Sequence, residues 1–284
     1  SLSISGVLDN SGSSLYSGAT SPDVEIINTL ISSDISGNEV WNSSSYCITT
    51  DISIPGGASL SISDGVTVYF APDVETADAG WADDADILVS GELRVLGASG
   101  SPVVFTSASD TPSAGDWGGV WFYPSGESGN SLDYLQMSYS AHGIYFDNAD
   151  ATISNSTFSN CAADDHCIET VDSSLNVEKN EFSNCTTGTD KYCIYLTGSS
   201  QVPILEQNII SSSANGVYVD STAYLFASDL NGLTGNAFTI GSNYTTCYIL
   251  ETNLRNFSSG IRLEEDYVDF VTAFNYFGGN TLDT

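Results

Sequence analysis

The chain has 284 residues, 41% of them hydrophobic and 11% aromatic, with 36 acidic against 5 basic side chains and a formal net charge of −31. That apolar content excludes a disordered chain, because enough surface can be buried to offset the lost conformational freedom. The charge excludes nucleic acid and disfavours anionic polysaccharides and membranes, leaving neutral glycans and cations as compatible partners; so acidic a surface also suits a salt-rich habitat.

Residues 1–40 read as an irregular capping or assembly segment with weak strand character in Leu2-Ser-Ile4 and Val24-Glu-Ile-Ile27. The opening Ser-Leu-Ser-Ile-Ser has no methionine and fits an exported product whose signal peptide has been removed. No run approaches 18 apolar residues, so no membrane span is expected. Short apolar runs at 48–54, 59–62, 66–70, 87–89, 93–96 and 103–106 alternate with Gly-containing corners. An acidic insertion at 71–86 interrupts them. Its Asp73, Glu75, Asp78, Asp83, Asp84 and Asp86 are either calcium ligands, as clustered oxygen donors can be, or a solvated loop; Glu264-Glu265-Asp266 allows the same two readings.

The second half repeats itself. Gly143-Ile-Tyr-Phe146, Cys167-Ile-Glu-Thr170, Cys193-Ile-Tyr-Leu196, Gly216-Val-Tyr-Val219, Ala237-Phe-Thr-Ile240 and Gly260-Ile-Arg-Leu263 start 24, 26, 23, 21 and 23 residues apart. Each precedes a second strand-like run and then a polar residue, read as Thr157, Asn180, Asn208, Asp229, Asn253 and Asn275, placed for rung-to-rung hydrogen bonding. No 3.6-residue periodicity competes, so helix should be scarce. The pattern predicts an all-β chain: one right-handed parallel β-helix (β-solenoid) domain over 1–284, its coils over 41–284, with about 10–12 coils at the ~20–30-residue period of solenoids.

Leu60-Ser-Ile-Ser-Asp-Gly-Val-Thr-Val-Tyr-Phe70, Val89-Ser-Gly-Glu-Leu-Arg-Val-Leu-Gly97, Pro102-Val-Val-Phe-Thr-Ser107, Gly115-Asp-Trp-Gly-Gly-Val120 and Asn275-Tyr-Phe-Gly-Gly279 follow one another in order. Over roughly residues 46 to 279 the chain resembles the secreted right-handed β-helix repeat proteins of pectin-lyase-like fold. That resemblance implies the fold and an extracellular or cell-surface place. It does not choose a function, since such proteins include surface-layer components, adhesins and carbohydrate-active enzymes.

No catalytic residue is assigned. Elimination chemistry in this family would need a basic residue beside carboxylates, and Arg255 and Arg262 are read as structural ion pairs. Asp164-Asp165-His166 superficially matches the paired aspartates of the hydrolase members but lacks their companion segments, and His142 reads as a polar turn residue. Six cysteines in an exported chain suggest disulfides. Cys161, Cys167, Cys185 and Cys193 allow either 161–185 with 167–193 between rungs, or 161–167 with 185–193 closing two corner loops, the latter slightly favoured. Cys47 and Cys247, about 200 residues apart by number, cannot pair within one straight solenoid at ~4.8 Å per rung, so they bond between subunits or are buried free thiols. Asn42, Asn155, Asn184, Asn243 and Asn256 open glycosylation sequons.

Self-assembly into a sheath, surface layer or filament through the solenoid ends or sheet edges accounts for most of these features, with Tyr218 or Trp121 lining the joints and no cofactor required. A glycan-binding adhesin or carbohydrate-active enzyme is the alternative. It would use Trp81, Trp117, Trp121 and acidic residues, and it requires aromatics aligned on one exposed side. A calcium-dependent binding module is the third reading.

Overall fold

The computed structural model describes residues 29–72, 84–124, 129–161, 165–185, 188, 190–198, 203–220, 222–241, 246–264, 269–273 and 275–278. No helix occurs among them, and their strands form three parallel sheets. Sheet I has nine strands, sheet II ten and sheet III eleven. One coil shows the plan. Ile144–Asp147 lies in sheet I, Ala151–Ser154 in sheet II and Thr157–Ser159 in sheet III, and the chain returns to sheet I at Ile168–Val171.

Coils stack in register, so Ile144 pairs with Ile168, Ile168 with Ile194 and Ile194 with Val217. Because side chains alternate faces along a strand, one column points inward for its whole length. The interior is filled this way with Ile, Val, Leu and Phe, including the stacked pairs Phe122–Phe146 at 4.6 Å and Phe158–Phe182 at 4.9 Å. The coil series also starts earlier than expected. Thr29–Ile31 pairs with Ser45–Ile48 and Asn38–Trp41 with Ser59–Ser63, neighbours that supply the ladder where the local pattern is weak. Residues 1–28 lie outside the described residues.

Sharp corners impose left-handed backbone. Between sheets II and III, Tyr134, Asn155, Lys179, Gln207, Ala227 and Glu251 all have φ from 49° to 58°. After sheet III, Tyr139, Asn160, Asn184, Ser212 and Asn256 have φ from 51° to 69°. A non-glycine residue there costs about 1–2 kcal/mol, which asparagine tolerates best. Three of the sequon residues, Asn155, Asn184 and Asn256, are corner residues of this kind, so backbone geometry alone accounts for asparagine at those positions. Asn184, Asn256 and Asn42 are exposed and Asn155 is half-buried; Asn243 lies outside the described residues.

The polar ladder sits one residue away from the expected place in half of its rungs. Its members are Ser156, Asn180, Asn208, Ser228, Thr252 and Asn275. Asn180 Oδ1 accepts from Ser156 N at 2.9 Å, Asn208 Oδ1 from Asn180 N at 3.1 Å, and Ser228 Oγ from Asn208 N at 3.1 Å. Asn208 Nδ2 donates to Val177 O at 2.8 Å, and Thr252 N donates to Asn275 Oδ1, also at 2.8 Å. Thr157, Asp229 and Asn253 follow their ladder residues by one and therefore face outward.

No disulfide joins any of the six cysteines in this structure, and all six are buried. Cys161 and Cys185 follow sheet III at equivalent places, while Cys167 and Cys193 meet sheet I. Cys161 Sγ donates to Met137 O at 3.2 Å and Cys185 Sγ to Phe158 O at 3.4 Å. Burial pushes the Cys161 and Cys167 thiols far above the usual range, so they fill the core as protonated, weakly polar groups. Cys47 and Cys247 are 1% and 0% exposed, and burial raises each to about 11. Neither presents sulfur where a second molecule could reach it.

Candidate functional site

The outer face of sheet I carries one in-register column: Leu88, Trp121, Tyr145, Glu169, Tyr195, Tyr218, Thr239 and Arg262. Tyr145, Glu169, Tyr195 and Tyr218 are half-buried and reach the surface. Rings pack along the column and beside it. Trp121 meets Tyr145 at 5.3 Å, Tyr195 stacks on Tyr218 at 4.4 Å, and His166 stacks on Tyr195 at 4.1 Å. Such stacking covers ring faces, and the Tyr218 hydroxyl lies over Gly241, where a Cβ would fall 1.8 Å from it. Burial, followed by neighbouring negative charges and phenols, raises the Tyr145, Tyr195 and Tyr218 phenols, so they remain hydrogen-bond donors at neutral pH.

Two of the expected aromatic contacts are not surface groups. Trp117 is 0% exposed and stacked on Phe70 at 3.8 Å. Trp121 is 7% exposed, and its Nε1 donates to Asp86 Oδ1 at 2.9 Å. Trp121 and Tyr218 also lie mid-face rather than at a solenoid end, and Trp81 lies outside the described residues. Gly119 N donates to the same Asp86 oxygen at 2.5 Å. A Cβ on Gly118 would fall 1.9 Å from it, which is why Gly118-Gly119 precedes this strand. Burial raises the Asp86 carboxyl to about 7 against the Trp121 and Gly119 bonds that favour its ionised form. Asp86 is thus 8% exposed, held beneath Trp121. Asp84 is half-buried, and Asp73, Glu75, Asp78 and Asp83 lie outside the described residues.

Beside the column a charged network spans three rungs. Lys191 Nζ donates to Asp165 Oδ1 at 3.0 Å, and His166 Nε2 lies 3.6 Å from that oxygen. His142 Nδ1 is 3.4 Å from Asp165 Oδ2. Burial alone would raise Asp165, but His142, Lys191 and the His166 ring hold it at about 2. Glu169 is the opposite case: burial, then repulsion from Asp165, brings it up to about 7 despite Lys191 and His142. Two carboxyls of one coil are thereby set apart, Asp165 ionised and Glu169 holding its proton up to about pH 7, the arrangement acid–base sites use.

Asp165, His166 and Glu169 place a carboxylate oxygen, a ring nitrogen and a second carboxylate oxygen within 4.8 Å of one another, a cation-sized cluster. The tautomer argues against a cation there. Tyr192 N donates to His166 Nδ1 at 2.9 Å, and burial lowers His166 to about 4. The neutral ring therefore carries its proton on Nε2, facing Asp165, and has no lone pair left to coordinate. Asp164, Glu265 and Asp266 lie outside the described residues. Arg255 pairs with Asp229 through its guanidinium, and Arg262 with Glu264 at 3.3 Å, so both arginines are in structural ion pairs.

Sequence reasoning placed Asp165 and His142 in turns and missed Glu169, Tyr145, Tyr195 and Lys191 as a group. The signal was present: the third residue of the first four repeat quartets is Tyr145, Glu169, Tyr195 and Tyr218.

Among the described residues no helix is long and apolar enough to cross a membrane. No curated protein sequence matches the chain. A family model described as a pectate-lyase like beta helix domain matches residues 33–167, and one described as a right handed beta helix region matches residues 117–280. With more than half its length matched and its sheets stacked coil on coil, the chain belongs to the right-handed β-helix family.

Proposed function

We propose that the protein binds neutral polysaccharide outside the cell along the outer face of sheet I. The observation that carries this reading is the column of Tyr145, Glu169, Tyr195 and Tyr218 on four successive rungs. With the phenols protonated and the Glu169 carboxyl holding its proton up to about pH 7, it is a strip of hydroxyl donors with little formal charge on a molecule of net charge −31. Sugar hydroxyls suit such a strip, whereas polyanions are repelled by the rest of the surface. The test is affinity electrophoresis and calorimetry with soluble mixed-linkage β-glucan, xylan and mannan. Tyr195→Ala should weaken binding about 30-fold, as loss of ~2 kcal/mol at an aromatic anchor would. Retardation by none of the three would overturn the reading.

A second reading, a non-catalytic self-assembling envelope subunit, is favoured by the outer face of sheet II near the C-terminal end. There Ile204, Tyr224, Tyr248 and Val271 form an in-register column, with Ile204, Tyr224 and Val271 at 44%, 39% and 46% exposure. Exposed apolar stripes of this kind mark contact surfaces. Sedimentation that stays monomeric at high concentration, with or without calcium, would remove it.

A further inference from the structure

A binding strip needs hydroxyls and ring edges; it does not need a lysine and two histidines converging on one carboxylate. Asp165 Oδ1 is fixed by Lys191 Nζ at 3.0 Å, while among the described residues Oδ2 is approached by His142 Nδ1 at 3.4 Å, long for a hydrogen bond. Glu169 has a carboxylate oxygen within 4.8 Å of Asp165 and sits between Tyr145 on one rung and Tyr195 on the next. Both carboxyl groups are half-buried and reach the surface. A glycan lying along the column would cross this pair.

We propose that Glu169 and Asp165 are the acid and the nucleophile of a retaining glycoside hydrolase acting on the neutral glycan bound to this face; the proposal rests on the binding reading above. The Glu169 carboxyl gives its proton to the glycosidic oxygen as the bond from the anomeric carbon to that oxygen breaks. Asp165 Oδ2 attacks the anomeric carbon and forms a glycosyl ester. Water then attacks the same carbon, the Glu169 carboxylate takes a proton from that water, and the ester bond breaks to return the Asp165 carboxylate and a free sugar end. The spacing selects retention, since carboxyls ~6.5–9.5 Å apart are needed to seat a water for inversion and ~5–5.5 Å is usual for retention. Lys191 and His166 are positioning residues that orient Asp165 and keep it ionised.

The groups facing Glu169 are Asp165 and His166 on its own coil, His142 and Tyr145 on the preceding rung, and Lys191, Tyr192 and Tyr195 on the following one. Asp165 and His166 titrate well below neutrality and the Tyr145 and Tyr195 phenols above it, so the alkaline limb of activity should lie near pH 7 and belong to Glu169. The experiment uses the full chain with mixed-linkage β-glucan, xylan and mannan, reading new reducing ends, and with the 2,4-dinitrophenyl glycosides of glucose, xylose and mannose. Glu169→Gln should lower kcat on polysaccharide by about 10²–10⁴-fold and abolish the alkaline limb. It should affect the dinitrophenyl substrate far less, because that leaving group needs no proton. Asp165→Ala should fail on both, with azide restoring turnover as a glycosyl azide. A wild-type chain that binds a polysaccharide yet releases no reducing ends from it overturns this proposal and leaves the binding reading standing. A chain that binds none of the three removes both. Equal losses on the two substrate types in Glu169→Gln, in a variant with unchanged circular dichroism, also overturn the role of Glu169.

Discussion

Two polar columns run along the solenoid in register, one inside the corner between sheets II and III and one on the outer face of sheet I. In the corner, Ser156, Asn180, Asn208, Ser228, Thr252 and Asn275 exchange hydrogen bonds with one another and with backbone carbonyls. None of them changes charge. On the face, Glu169, Asp165 and His166 have surroundings that shift their protonation in opposite directions. The contrast separates a column that holds coils together from one that is held ready for a ligand, although both arise from the same repeat.

The largest test of that contrast is in the corner. Asn208→Leu would strand Val177 O and the Asn180 N–H away from water. At ~1–3 kcal/mol for each buried polar group left unpaired, it should cost about 3 kcal/mol in urea unfolding while leaving glycan affinity per folded molecule unchanged. A loss under about 1 kcal/mol would mean that the ladder is not what secures the corner.

The face should register in pH dependence instead. Glu169 binds its proton up to about pH 7 when folded but only to the ordinary 4.5 when unfolded. The folded state therefore holds more protons across that interval, and its stability falls as pH rises from 4.5 to 7. Asp86, raised from 3.8 to about 7, has the same sign. Asp165, lowered from 3.8 to about 2, adds stability that is lost only as pH falls through that lower range. Glu169→Gln should flatten the upper decline and leave the protein about 1 kcal/mol more stable than wild type at pH 8, once screening at a half-exposed group is allowed for. Melting temperatures across pH 4 to 8 read this directly.

Lys191→Met should cost less, about 0.5 kcal/mol for a partly exposed pair. Its signature is a rise in the Asp165 titration midpoint by carboxyl carbon-13 NMR. The smallest effect falls on a corner: Ala227 sits at φ 49°, so Ala227→Gly should stabilise by a few tenths of a kcal/mol, strain relief exceeding the added chain entropy.

The solenoid was legible because a 21–26-residue spacing and two-residue alternation are properties of the chain itself. The ladder was legible only to within one residue. Thr157, Asp229 and Asn253 look as suitable as Ser156, Ser228 and Thr252, but a step of one exchanges inside for outside, and only pairing fixes the step. The site was harder because Asp165, Glu169 and Lys191 belong to two coils and look like ordinary turn and strand residues until the coils are stacked. The tryptophans misled for a related reason: Trp117 and Trp121 lie on either side of the Gly118-Gly119 pair, and the room those glycines leave draws the backbone and Trp121 against Asp86.

The in-register face has an evolutionary consequence. Because the described coils pair rung to rung within three continuous sheets, duplication of one repeat unit would lengthen the solenoid by a single ~4.8 Å step and add one tooth to the column without moving Glu169 against Asp165. Length is thus an adjustable dimension of the recognition surface. Relatives that gain or lose whole coils would measure out longer or shorter stretches of polymer with the same central residues, as rulers cut from one template.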